Sequence, residues 1–509
     1  MSNRNGLSAG GHSPESYRGI RDFLRSLSEP VDSASLSVFR VALGIAVACF
    51  AWKTMTTPII VNDFIKPQFH LTYLGFEWVK PWPGEGMYAL FAAMFASGVG
   101  VATGVCYRLS AAVLLYTFTH AFLIERTLYN NHYYLIILLS LIANVIPLHR
   151  GWSVSSAMHP ERYRATFPGW MLQLVRFQIG VVYFYGGIAK LDGDWLRGQP
   201  MGMWLDEQTG MPILGPWLGL SFMPMLFSVA GLLIDLLAMP LLCWKRTRIW
   251  MYAVLVMFHL LNSTIFTIGF FPWLMIVETL IFFPPDWPRK LFGIPGAVSV
   301  QSAVSVQRVS TQLAKSGGIR RRILAAGIGL YVVIQVIVPF RHLLVPGNAS
   351  WTEYGQLFSW RMMLRQKLTG MRFLATDPKT GESQEIDIRE YLTPRQAMQM
   401  SRDPDLIVQF AGLLAEEYRR RGIPDMQIRA KVLASLNGRR PQLLIDPEVD
   451  LAQERRSVLP LRWVMPLTEA FRAEPWSYPA AEWEERIAST SETEPAKYSL
   501  IEGAGEGGP

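Results

Sequence analysis

The stretch YFYGGIAKLDGDW, residues 183–195, ends an apolar run with an amine, Lys190, and two carboxylates, Asp192 and Asp194. Desolvation disfavours the charged form of an amine, and an amine so tuned serves as a general base near neutral pH. Asp192 and Asp194 pull the other way if they point at it. On a continuing helix, positions two and four further on do not both share its face, so both outcomes stay open. Gly186 and Gly187, just before the lysine, leave room for close approach of a ligand. Three other stretches supply hydrogen-bonding partners: RTLYNNHYYL with Asn131 and His132, FHLLNSTIF with His259 and Asn262, and VPFRHLLVPG with His342. Neutral imidazole and amide groups hydrogen-bond a developing oxyanion.

These groups need elements to position them, and composition says which kind. Of the 509 residues, 50% are hydrophobic and only 17% charged. Several apolar stretches approach the roughly 20 residues that cross a bilayer. The expected class is a polytopic α-helical membrane bundle of about nine spans, at 36–54, 86–105, 109–125, 133–148, 171–189, 219–243, 249–266, 270–283 and 323–340. With the N-terminus in the cytoplasm, every internal connection carries Lys or Arg: Arg108; Arg150, Arg162 and Arg164; Lys245, Arg246 and Arg248; and seven more between 284 and 322. That is the positive-inside pattern. The net charge of +8 therefore marks cytoplasmic loops and is no argument for nucleic acid. The polar, Arg-bearing segment 1–34 is expected to be cytoplasmic, without a cleavable signal. Cys49, Cys106 and Cys243 lie in or beside apolar stretches, and neither Cys nor His shows metal-ligand spacing.

On this topology Lys190, the Asn131–His132 pair, His259 with Asn262, and His342 all fall at the outer membrane level. One such placement is cheap; four from different spans point to a polar chamber opening outward. Arg40, Arg176, Asp235 and Glu278 lie within spans, where ionisable groups are costly. Each is either a packing pair or a site group; Arg40 and Arg176 are kept as candidate ligand-binding residues.

An odd span count puts residues 345–483 outside, as a small α+β domain following the bundle at 35–344. MRFLATDPKTGESQEIDI reads as two strands around a turn. Residues 394–421 read as one helix beginning at a Thr-Pro cap. Asn437-Gly438 is a hairpin signal. Residues 295–318 read as a linker and 484–509 as a disordered tail.

These motifs, in this order, resemble the vitamin K-dependent γ-glutamyl carboxylase family and its bacterial relatives, the horizontally transferred transmembrane domain (HTTM) proteins. The resemblance rests on GVCYRLS, YNNHYYL, RFQIGVVYFYGGIAKLDGDWLRGQPM, FHLLNSTIFTIGFFPW, PPDWPRKL, VPFRHLLVPGNASWTEYGQLFSWRMM and ASLNGRRPQLLIDPEVDLAQ, across roughly residues 35–470. It implies an integral-membrane carbon–carbon lyase, a carboxylase that couples oxygenation and epoxidation of vitamin K hydroquinone to γ-carboxylation of glutamate in a peptide or secreted protein. The co-substrates are then vitamin K hydroquinone or menaquinol, O2 and CO2, with no metal. The resemblance assigns the base to Lys190 and an assisting role to His132. Asn131, His259, Asn262, His342, Arg40 and Arg176 become candidates for the quinone and substrate site. In the family's animal members two lysines are adjacent at this motif; here Ala189 precedes Lys190. Two other readings remain: a quinol epoxidase with a non-glutamate acceptor, and a non-catalytic membrane binding or transport protein of the same fold. The expected location is a bacterial inner membrane.

Overall fold

The computed structural model describes residue 24 and residues 26–266, 269–294 and 318–493. Nearly all of the expected linker, and the tail beyond 493, lie outside the described residues.

Helices occupy all nine stretches expected to span. Six are long and apolar enough to cross a bilayer: Ala34–Thr56, Gly86–Thr103, Tyr107–Ile124, Met223–Cys243, Arg248–Ile265 and Gly318–Leu344. The count of nine is therefore not confirmed. Asn131–Val145 and Phe271–Phe282 are apolar but short. At 1.5 Å per residue they reach only about 22 and 18 Å, less than the roughly 30 Å of hydrocarbon. The helix Gly169–Ala189 is long enough but carries Gln173, Arg176 and Gln178.

Helix Gly169–Ala189, called here the lysine helix because Lys190 is its C-cap, packs along Met223–Cys243, called the aspartate helix for Asp235. Lipid tails are as apolar as the side chains, so close packing rather than water exclusion drives such contacts. A Cβ on Gly187 would lie 2.8 Å from the Leu236 backbone nitrogen and one on Gly186 3.1 Å from Asp235 Oδ2. The glycine pair thus serves helix–helix approach, rather than the ligand approach read from the sequence.

The C-terminal domain is a four-stranded antiparallel sheet in the order β4-β3-β5-β6: Lys367–Thr376 (β3), Ser383–Ile386 (β4), Gln427–Leu436 (β5) and Gln442–Leu443 (β6). β1 (Pro30–Asp32) and β2 (Thr166–Pro168) form a separate ribbon beside the bundle. β3 pairs with β5 over its full length, from Lys367 opposite Leu436 to Thr376 opposite Gln427. Phe373 of β3 and Phe410 of the covering helix meet edge to face, ring centroids 5.2 Å apart. Phe410, Ile407, Ala411 and Leu414 recur at helical spacing and are fully buried. Each such large side chain contributes about 1.5–3 kcal/mol on burial. The expected hairpin forms: Asn437 (φ 51°) and Gly438 (φ 76°) both take the left-handed conformation between β5 and β6.

Two expectations are corrected. Residues 394–421 are two helices, Pro394–Met400 and Pro404–Arg420. Asp403 caps the second through the Asp405 amide, and Pro404 disfavours a helical conformation at the residue before it. The tail does not begin at 484: Trp483–Thr493 is a helix, anchored by Trp483, which is buried against the sheet at Gly370.

Candidate active site

Lys190 caps the lysine helix and is buried. Its Nζ donates to Asp235 Oδ2 at 2.6 Å and to the Gly186 carbonyl at 3.2 Å. Both charged residues are 5% exposed. Nζ also lies 5.4 Å from the centroid of the Trp195 ring, whose Nε1 donates to the Ser228 carbonyl at 2.8 Å. So the partner of Lys190 is neither aspartate of its own motif. Asp194 is bound by Arg439, and Asp192 lies 3.9 Å from Arg361.

Lys190 and Asp235 line a cavity of about 1520 Å³. Asn131, His132, His259 and Asn262 line it too, as do Tyr183, Trp195 and Trp204. The His132 ring sits among Tyr133, Phe270 and Phe271, with centroids 4.5, 5.6 and 5.4 Å away. Asn131 Oδ1 accepts from the Tyr129 hydroxyl at 3.0 Å, and that hydroxyl accepts from the Phe358 amide at 2.7 Å. His259 Nε2 is 2.9 Å from the Tyr183 hydroxyl, itself 3.1 Å from Thr279 Oγ1. The remaining wall is mostly apolar, with Val38, Ile45, Phe227 and Leu261 among it. Among the described lining residues Asp235 is the only acid, whereas Lys53, Arg361, Arg365 and Arg395 add positive charge.

Five of the eight residues singled out from the sequence thus share one cavity: Lys190, His132, Asn131, His259 and Asn262. The other three do not line it. Arg40 donates to the carbonyls of Val101, Ala102 and Trp152 at 2.5–2.7 Å, tying off the carbonyl end of helix Gly86–Thr103. Arg176 does the same for Ile281 and Phe283, both at 2.9 Å. Unpaired carbonyls in an apolar surrounding cost several kcal/mol each, which accounts for both arginines. His342 Nδ1 is 2.8 Å from the Pro339 carbonyl and packs on Gly355. Glu278 is buried beside Thr279, and it too does not line the cavity.

Asp235 and Arg361 are the functional candidates that sequence reasoning did not place. Asp235 gave a signal, an acid inside LLIDLLAM, but not its partner, 45 positions away. Arg361 gave none, since it follows an ordinary aromatic segment.

The C-terminal domain also grips the loop that precedes Asn131. Arg126 is held by Asp403 and Asp405; burial opposes its charge, the two carboxylates outweigh that, and its pKa is raised. Gln396 donates to Glu125 at 2.8 Å.

Comparison with known proteins agrees with this architecture. The HTTM domain matches residues 28–287, and the lumenal domain of vitamin K-dependent gamma-carboxylase matches residues 320–470. No solved structure matches the chain. The first match covers the bundle helices that bear Lys190, His132, Asp235 and His259; the second covers the domain that adds Arg361, Leu364, Arg365 and Arg395 to the cavity's lining. Together with the apolar helices they describe a membrane protein with an extracytoplasmic domain. With both parts matched in order across more than half of its length, the chain belongs to the vitamin K-dependent gamma-carboxylase family.

Proposed function

We propose that the protein is an integral-membrane γ-glutamyl carboxylase that couples oxygenation and epoxidation of a vitamin K-type hydroquinone to γ-carboxylation of glutamate, with O2 and CO2. The observation that carries this reading is the buried Lys190–Asp235 pair facing a large apolar-walled cavity that also holds two histidines. The cavity fits the group: an aromatic quinol with an apolar tail needs a greasy wall and a few polar groups at its ring, and ligand sites are built that way. Oxygenation of the bound hydroquinone supplies the energy and the strong base for removing a glutamate γ-proton.

The chain's residues have distinct roles. Lys190 takes the proton from the quinol hydroxyl at Nζ. A buried ion pair is costly, so the pair can pass its shared proton to the Asp235 carboxylate, which frees the Nζ lone pair. His132 and Asn131, which line the same cavity, hydrogen-bond the oxyanion so formed. His259, oriented by Tyr183, supports the second ring oxygen. The aromatic walls exclude water, which strengthens each of these interactions. Arg361 and Arg365, which line the cavity, suit an acceptor that brings a carboxylate. Menaquinol is the favoured quinol and the bacterial inner membrane the favoured site, on the family resemblance.

The test is direct. Purified protein in detergent, given reduced vitamin K, O2, labelled bicarbonate and a Glu-rich peptide, is expected to form epoxide and labelled peptide. Epoxide without label leaves a quinol epoxidase with another acceptor. No epoxide with any quinol, from folded protein, rejects the reading.

Orientation has its own test. Met398, 47% exposed on the C-terminal domain, is replaced by cysteine in a background with Cys49, Cys106 and Cys243 changed to serine. A membrane-impermeant maleimide is expected to label it on intact cells. Labelling only after permeabilisation would place the domain in the cytoplasm and contradict the proposed topology.

A further inference from the structure

The second aspartate of KLDGDW is not free to serve Lys190, because the C-terminal domain holds it. Asp194 Oδ2 accepts from Arg439 Nη1 at 2.5 Å and from Asn437 Nδ2 at 2.9 Å, and Oδ1 accepts from Arg439 Nη2 at 2.7 Å. All three residues are buried, at 5, 7 and 1% exposed. The grip is itself rigid. Asn437 sits in the left-handed turn between β5 and β6, and its Oδ1 accepts from the Gln366 amide at 2.8 Å. Arg439 Nε donates to the Glu469 carbonyl at 3.2 Å, and the Arg439 carbonyl accepts from Ser435 Oγ at 2.6 Å.

From Asp194 the chain of contacts runs straight to the amine. Asp192 Oδ1 accepts from the Asp194 amide at 3.0 Å, closing the loop that follows Lys190. Trp195 comes next, and its ring lies 5.4 Å from Lys190 Nζ. The same domain segment that supports Asn437, residues 361–366, also supplies Arg361 beside Asp192 and lines the cavity with Leu364 and Arg365. One five-residue stretch, from Lys190 to Asp194, thus carries the amine at one end and a two-pronged guanidinium grip at the other.

We infer that Arg439 and Asn437 are positioning residues for Lys190: through Asp194 and Trp195, the β5–β6 turn of the C-terminal domain fixes where the amine sits in the bundle. A buried ion pair is weak evidence for added stability, since desolvation offsets most of its attraction. What a bidentate arginine–carboxylate pair adds is orientation, which a lysine cannot reproduce. The domain that meets the acceptor and the amine that starts the chemistry are then mechanically joined, so an acceptor that moves this turn moves the base. The inference rests on the reading of Lys190 as the base, but its test does not need activity.

The probe is reductive methylation of the intact protein in detergent with formaldehyde and a borane reductant, quantified lysine by lysine by peptide mass spectrometry. Lys379, whose side chain is 73% exposed, serves as the reference. Arg439→Lys keeps the charge and loses the fork; Asn437→Gly keeps the turn, since glycine accepts a positive φ, and loses the amide. In both, Lys190 labelling relative to Lys379 is expected to change by about fivefold or more, the effect of losing one net hydrogen bond. If epoxidation is present in the parent, kcat falls in the same variants while KM for quinol holds. Labelling of Lys190 within about twofold of the parent in both folded variants overturns the inference, whether or not the protein makes epoxide. Loss of fold in both assigns the pair to stability alone and overturns it as well.

Discussion

Lys190→Met is expected to abolish quinol epoxidation, with a fall of roughly 10²- to 10⁴-fold, the range that general-base catalysis contributes. The neighbouring position offers no second amine, because Ala189 stands there. His132 and His259 face the same cavity but sit among aromatic rings and the Tyr183 hydroxyl, with no carboxylate hydrogen-bonded to either among the described residues. Methionine is chosen because it fills the lysine's volume, so the packing against Trp195 and Gly231 survives. The measurement is epoxide formed per minute by folded protein, with folding checked by a thermal melt. A Lys190→Met variant that keeps activity within about tenfold of the parent removes Lys190 from the role of base.

The second large effect is on the pair itself. Lys190→Met strands the Asp235 carboxylate, and Asp235→Leu strands the Lys190 ammonium. Breaking one partner of a buried pair costs about 3–5 kcal/mol, since an uncompensated charge is left in a low dielectric. Replacing both by apolar residues of similar volume is often neutral or stabilising. Lys190→Met/Asp235→Leu is therefore expected to melt near the parent temperature, well above either single variant, while remaining inactive. That combination separates the fold from the chemistry in one experiment. Single-variant losses that simply add in the double would mean that the 2.6 Å contact carries no coupling.

Much of this was legible in the sequence, for identifiable reasons. Hydrophobic runs of near-membrane length located the helices at all nine expected stretches, because an apolar face must be buried in lipid or in protein. Turn chemistry located the Asn437-Gly438 hairpin, because few residues accept a positive φ. The count of nine spans is not confirmed, because Asn131–Val145 and Phe271–Phe282 are apolar but shorter than the hydrocarbon core. Pattern also ran two helices together across Asp403-Pro404, where one local cap outweighs a shared amphipathic period.

For the site, the sequence by itself determined which chemical groups the chain has to offer: a lysine ending an apolar helix, His132 beside Asn131, His259 with Asn262, and acids and arginines in places where lipid would reject them. That follows from local rules, because the cost of a charge at membrane depth can be read from its neighbours in the chain. Only the tertiary structure decided what each group faces. Arg40 and Arg176 looked like ligand groups and instead close open carbonyls; His342 looked like a cavity residue and instead packs on Gly355. The sequence left open whether Asp192 or Asp194 faces Lys190; that place belongs to Asp235, brought in from another helix by the close approach at Gly186 and Gly187. Partner choice among buried charges depends on distances of a few ångströms between segments far apart in sequence, and Coulomb attraction in a low dielectric is decided at that range. No spacing within one segment encodes it.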